Sequence, residues 1–377
     1  MHSKILFIRS GSFSNINNSV YTILKKEFPD DQIDEVDTWK NISIKKSFLI
    51  YVINIFYFFN EYGLQFLTGK KGLNQVHVWF FATSYFSMHT SKKLQQLCEG
   101  KNYRFSLQTQ SLFNGKVRDI PNFVYTDHAN KANLLYPDIN PQQYIRSTAW
   151  IKKCELKLFK EATLIFTFGS QVRDSLINQY NIPDHKVITT YAGSNVSHES
   201  SNDIKKTFTK NILFVGVDWE RKGGPILIEV FKKILKKHPD ASLTIVGSAP
   251  KGITIPNCKI IGKIPVEDLW KYYSSASIFC MPTLREPFGV VFVEAMKYKL
   301  PIIANNIGAL SDLVKDDFNG YLIHNDIEGY VEAICKLLNN PEKCMEMGQN
   351  GYEFARDNFT WEKVGQTLKS NIERVLK

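Results

Sequence analysis

The chain has 377 residues, 44% hydrophobic and 13% aromatic, which exceeds one typical core, suits two domains and excludes a disordered or fibrous protein. The net charge is +10, and its excess sits early: residues 1–200 carry 23 basic and 16 acidic side chains, the remainder 24 and 21. No dense Arg/Lys stripe with interleaved aromatics appears, so nucleic acid is not the expected partner, and a basic face at a membrane surface fits better.

The first residues form a short apolar run, Lys4–Arg9, followed by the turn Ser10-Gly11-Ser12. That run is too short for the apolar segment of a signal peptide and reads as a strand. A helix is predicted over Asn17–Phe28. Phe48–Phe59 is apolar on all sides and flanked by Lys45, Lys46, Lys70 and Lys71. It is too short to span a bilayer and reads as a buried helix, with a membrane-interface helix as the alternative. Further strands are predicted at Val76–Ala82, Tyr103–Gln108, Asn122–Tyr125, Leu164–Phe168 and Val187–Tyr191, with helices at Gln143–Lys160 and Gln171–Tyr180. Such alternation argues for a parallel sheet covered on both faces.

Ser194–Asp203 is small and polar and reads as a domain linker. A cleaner alternation follows. Short apolar strands are predicted at Ile212–Val215, Leu243–Val246, Lys259–Ile261, Ile278–Met281 and Ile302–Ala304. Helices are expected at Pro225–Lys237, Val266–Tyr273, Phe288–Tyr298 and Ile327–Leu338, then at Pro341–Asn358 and Trp361–Leu376. Two doubly wound domains in tandem bind ligands at the carboxyl ends of their strands.

The most informative stretch is Arg285-Glu286-Pro287-Phe288-Gly289-Val290, continuing to Glu294. Pro287 suits a first helical turn, and the N–H groups of Phe288, Gly289 and Val290 then form an anion site suited to a diphosphate. Glu286 and Glu294 bracket it, roughly 12 Å apart if the span is helical. Glu286 is a candidate for sugar hydroxyls and Glu294 for a ribose diol. A second signal runs from Val215-Gly216-Val217 to Arg221-Lys222-Gly223-Gly224, where two cations in a loop can neutralise a leaving diphosphate. Val124-Tyr125-Thr126-Asp127-His128 ends a strand in polar groups. His128 is a candidate contact for the donor sugar, and Asp127 for orienting it or accepting a proton. Gly11, after the first strand, is an acceptor-side candidate.

These residues carry a resemblance. Glu286-x7-Glu294 resembles the paired-glutamate signature of retaining GT-B transferases, and Val215-Gly216 through Lys222-Gly223 their phosphate loop. Gly262-Lys263-Ile264, Pro301-Ile-Ile-Ala, Asn319-Gly320-Tyr321-Leu322 and Phe359-Thr360-Trp361-Glu362 are similar to segments of glycosyltransferase family 4. Together they cover about residues 120–377.

The resemblance implies an α/β GT-B fold of two facing Rossmann-like doubly wound domains. These are an acceptor-side domain at 1–198, a nucleotide-sugar domain at 199–357, and a helix at 358–377 returning to the first. It implies a retaining transfer of sugar from a nucleoside-diphosphate-sugar to an acceptor hydroxyl, along a same-face ion-pair pathway. Glu286 then contacts the sugar, Glu294 the ribose and Lys222 the phosphate, while the backbone near Lys263 and Ile264 borders the base. Many members carry Arg where this chain has Val217, and Arg221 is the candidate replacement.

No Asp-x-Asp and no His/Cys cluster with ligand spacing is present, so neither metal nor cofactor is expected. The expected partners are the donor, a glycan or lipid-linked acceptor, and a peripheral membrane contact. Six scattered cysteines without Cys-x-x-Cys spacing fit reduced thiols in the cytoplasm, the inner face of the membrane included. Surface-polysaccharide assembly is the expected setting. The rivals are a GT-B epimerase or phosphorylase of the same architecture and a catalytically silent nucleotide-binding partner of another transferase.

Overall fold

The computed structural model describes residues 3–12, 15–41, 48–68, 76–137, 140–196, 206–248, 250, 252 and 254–377. Lys45, Lys46, Lys70, Lys71 and most of the linker at 194–203 lie outside them. The chain divides into two compact units, Met1–Tyr191 with Gly365–Lys377, and Ala192–Val364.

In the first unit, six parallel strands form one sheet: β1 (Lys4–Arg9), β2 (Gln32–Asp37), β3 (Phe105–Thr109), β4 (Asn122–Thr126), β5 (Leu164–Thr167) and β6 (Val187–Thr189). Their order is β2-β1-β3-β4-β5-β6. Ile5 through Ile8 are wholly buried because both faces of β1 are covered. β2 was not expected from the sequence. It is a polar edge strand, exposed or half-buried at all but its last residue, so it lacks the continuous apolar run of its neighbours.

Three expectations change here. Val76–Ala82 is not a strand; Val76–Phe80 is helical and packs on the helix Phe48–Leu67. Its β-branched and aromatic residues are overruled by tertiary contact. The helix expected at Gln143–Lys160 starts later, at Thr148, where Ser147 Oγ accepts from the Trp150 N–H at 3.0 Å. It then runs through a π turn at Ile151–Glu155 to Glu161. The third concerns Phe48–Leu67, which is not a buried helix. Its inward side holds Asn54, Phe58 and Tyr62, while most of its apolar side chains face solvent.

The second unit has its own six-stranded parallel sheet: β7 (Asn211–Gly216), β8 (Ser242–Gly247), β9 (Cys258–Gly262), β10 (Ile278–Met281), β11 (Ile302–Asn305) and β12 (Gly320–Ile323). The order is β12-β11-β10-β7-β8-β9. Counted within the unit this is 6-5-4-1-2-3, the doubly wound dinucleotide-binding order. The strand order reverses between β7 and β10, which pair through Ile278 with Ile212 and Phe279 with Leu213. The loops leaving those two strands therefore flank the position where such sheets bind ligands. The last helix, Trp361–Leu376, begins in this unit and ends in the first.

Candidate functional site

The loop after β7 is built from tight turns. Lys222 N–H donates to Asp218 O at 2.9 Å, Gly223 N–H to Glu220 O at 3.0 Å, and Gly224 N–H to Trp219 O at 2.9 Å. Gly223 has φ +76, and a Cβ there would run into Pro282 O. This is a close approach that only glycine permits. At the strand end, Gly216 O accepts from the Ser248 hydroxyl.

The loop after β10 is stitched to it. Arg221 O accepts from Leu284 N–H at 2.9 Å and from Thr283 Oγ1 at 3.2 Å, while Arg221 Nη1 donates to Arg285 O at 2.8 Å. Asn305 Nδ2, from the end of β11, donates to Thr283 O at 2.9 Å. The two motifs read separately in the sequence thus meet in one constellation.

Its centre is an ion pair between Lys222 Nζ and Glu286, with side chains 11% and 8% exposed. Burial pulls the Lys222 pKa down, and Glu286 opposes that shift. Arg221 Nε pairs with Asp218 at 3.0 Å. Each loop cation therefore already faces a carboxylate, and the four charges cancel.

The helix start differs from expectation. Pro287 does not lie in a first helical turn: the helix is Val290–Lys297, and Gly289 caps it at φ +95. A Cβ on Gly289 would come within 2.5 Å of the Phe292 ring. Glu286 to Gly289 is loop, so the 12 Å helical spacing between the two glutamates does not apply. Among the described residues, the N–H groups of Gly289, Val290 and Val291 have no protein acceptor, as expected for a helix N-terminus. Phe288 is buried, its ring 6.2 Å from that of Phe359.

Glu294 is buried within the second unit. Its Oε2 accepts from the Tyr273 hydroxyl at 2.9 Å and its Oε1 from Asn195 N–H at 3.3 Å. Burial raises its pKa to about 7 against those two bonds. Lys263 is exposed and Ile264 half-buried just past β9, where Gly262 adopts φ +77. Val217 is 62% exposed.

The remaining candidates belong to the first unit. Past β4, Asp127 and His128 are half-buried. Thr126 Oγ1 accepts from His128 N–H at 3.2 Å and donates to His128 O at 2.9 Å. Asn133 Nδ2 lies 3.4 Å from His128 Nε2. Gly11, at φ +63, has its N–H on Asp37 Oδ1 at 3.2 Å, and its carbonyl accepts from Asn17 and Arg9.

Glu155 was missed in the sequence. This wholly buried carboxylate ends the π turn and accepts from Asn130 N–H at 3.0 Å, Ser111 Oγ at 3.3 Å and the Tyr180 hydroxyl. Ser111 Oγ also lies 3.2 Å from His128 O, so Glu155 braces the segment that carries His128. The available signal was an acid inside the apolar helical run Cys154–Phe159. Tyr273, the partner of Glu294, was missed as well.

Two sheets of this kind, with the second in dinucleotide-binding order and its loops meeting at the reversal point, define a GT-B fold. Residues 197–354 match the model of the glycosyl transferases group 1 family. It is similar to an uncharacterized glycosyltransferase of Haemophilus influenzae, at 34% identity over 45% of this chain and 50% of the relative. It is also similar to spore coat protein SA of Bacillus subtilis, at 29% over 49% and 54%. The chain thus spans about half the length of the curated relatives it matches. Among solved structures, the Anabaena protein HepE in complex with UDP and glucose matches with TM-score 0.66 and 15% identity, over 99% of this chain and 100% of that one. That likeness bears on the fold.

Proposed function

We propose that this chain is a retaining glycosyltransferase that moves a sugar from a nucleoside-diphosphate-sugar to an acceptor hydroxyl. The observation that carries the reading is the Lys222–Glu286 pair at the strand-order reversal, beside the unpaired amides of Gly289 to Val291. A diphosphate lies across those amides and displaces Glu286 from Lys222. The released Glu286 then turns to the sugar hydroxyls. Arg221 shares the leaving charge, Gly216 and Gly289 leave room for the phosphates, and Phe288 backs the turn. Glu294 holds the ribose, and Lys263 and Ile264 border the base. His128 and Asp127 act on the sugar, and Gly11 lies on the acceptor side. No metal or cofactor takes part.

The solved relative described with UDP and glucose supports a uridine or related donor. The acceptor is a glycan or lipid-linked saccharide, and the setting is bacterial surface-polysaccharide assembly in the cytoplasm. Six free cysteines agree with a reducing compartment. The rival is a nucleotide-binding partner without turnover, favoured by exposed Val217 where many family members carry Arg.

A panel of labelled nucleotide-sugars, scored for nucleoside diphosphate release with and without lipid-linked acceptors, separates the two. Acceptor-dependent release from at least one donor is expected. Nucleotide binding without sugar transfer from any donor would favour the rival.

A further inference from the structure

The helix Phe48–Leu67 is built inside out. Its inward face carries the polar groups. Asn54 Nδ2 donates to Phe80 O at 2.8 Å, and the Tyr62 hydroxyl donates to Ala82 O at 2.7 Å. Glu61 accepts from Ser84 N–H at 3.0 Å and from Ser147 Oγ at 2.6 Å. Its outward face carries Phe48, Leu49, Val52, Ile55, Phe56 and Phe59. Of the 19 exposed large hydrophobic side chains among the described residues, nine lie on this one helix, so the patch is concentrated and not the usual scatter. Phe56 is 71% exposed and Phe59 65%. The helix holds a single charged residue, Glu61, and that one is turned inward.

We infer that this face docks on an anionic lipid bilayer, lying flat in the headgroup region. Its 20 residues extend about 30 Å, but no described helix is long and apolar enough to cross a membrane. The bonds of Asn54, Glu61 and Tyr62 hold the opposite face on the protein, so only one side is available to lipid. The chain carries Lys45 and Lys46 just before the helix and Lys70 and Lys71 just after it, and residues 1–200 hold seven more basic than acidic side chains, 23 against 16. An uncharged apolar stripe between lysines complements acyl chains bordered by anionic headgroups. A second copy of the chain fits less well, because it carries the same basic excess over residues 1–200 and offers no complementary charge.

The test is flotation of the whole chain, without donor, on vesicles of phosphatidylglycerol and phosphatidylethanolamine in equal parts, with phosphatidylcholine vesicles as comparison. Binding to the anionic vesicles is expected, weakened by raised salt. The double variant Phe56→Glu/Phe59→Glu should lose at least about tenfold in partitioning at unchanged circular dichroism. The milder Phe56→Ala/Phe59→Ala should lose less, and serves if the first misfolds. Absence of vesicle binding, binding that neither variant changes, or sedimentation showing a dimer that these substitutions split with no lipid bound would each overturn the inference. Sugar transfer to a soluble acceptor is scored separately, so failure here leaves the proposed reaction standing.

Discussion

Lys222 and Glu286 are 64 positions apart and form a buried ion pair between the loops that follow two neighbouring strands. Removing one partner leaves the other's charge buried and alone, which costs more than removing both. Lys222→Met and Glu286→Gln should each destabilise the second unit by about 2–4 kcal/mol in urea unfolding. The double variant should recover at least half of the loss. Additive losses would mean that the pair is not coupled.

Glu294 gives the second unit a pH dependence of definite sign. Its folded pKa of about 7 lies above the ordinary 4.5, so the folded state binds the proton more tightly. Its contribution is full below about 4.5 and is lost as pH rises through about 7, a swing of roughly 3 kcal/mol. Glu294→Gln should flatten the stability profile over that window. Glu294→Ala should also weaken donor binding at least about tenfold if the ribose assignment holds. Unchanged donor affinity would remove that assignment.

Gly289 caps its helix at φ +95 with the Phe292 ring in the path of any Cβ. Gly289→Ala should cost about 1–3 kcal/mol in thermal unfolding and weaken nucleoside diphosphate binding in parallel. An alanine variant as stable as the parent would show that the turn relaxes easily.

Glu155 braces the His128 segment in the first unit, whereas the diphosphate groups are assigned to the second. Glu155→Gln should lower kcat and the melting temperature while leaving nucleoside diphosphate affinity within about twofold, since the lost charge touches only one unit. Loss of nucleotide affinity with intact kcat would contradict this positioning role.

Lys222, Arg221 and the free amides carry the whole of the assigned leaving-group stabilisation. Treatment with a chelator should therefore leave donor turnover unchanged. An about tenfold loss that magnesium restores would replace that assignment with a metal.

The buried parallel strands were legible because strands covered on both faces are continuous apolar runs, as in Ile5–Ile8 and Ile278–Met281. β2 was not, since an edge strand needs no such run. Val76–Phe80 misled through its β-branched and aromatic residues, whose helical state comes from packing on Phe48–Leu67. Apolarity likewise could not say which way Phe48–Leu67 faces, because its polar residues find buried partners. At the site, the residue types and their sharing of one unit could be read for Lys222, Glu286 and Glu294. Their pairing could not. Ion pairs across 64 positions and the late helix start after Gly289 depend on how the loops cross, which local pattern does not encode.

Calorimetric titration of UDP, GDP and ADP into the parent chain and folded Lys222→Ala tests the diphosphate site most directly. At least one nucleotide should bind the parent, and the variant should bind it about tenfold or more weakly, with the nucleoside alone unaffected. Equal affinity of parent and variant for every nucleoside diphosphate would contradict the account.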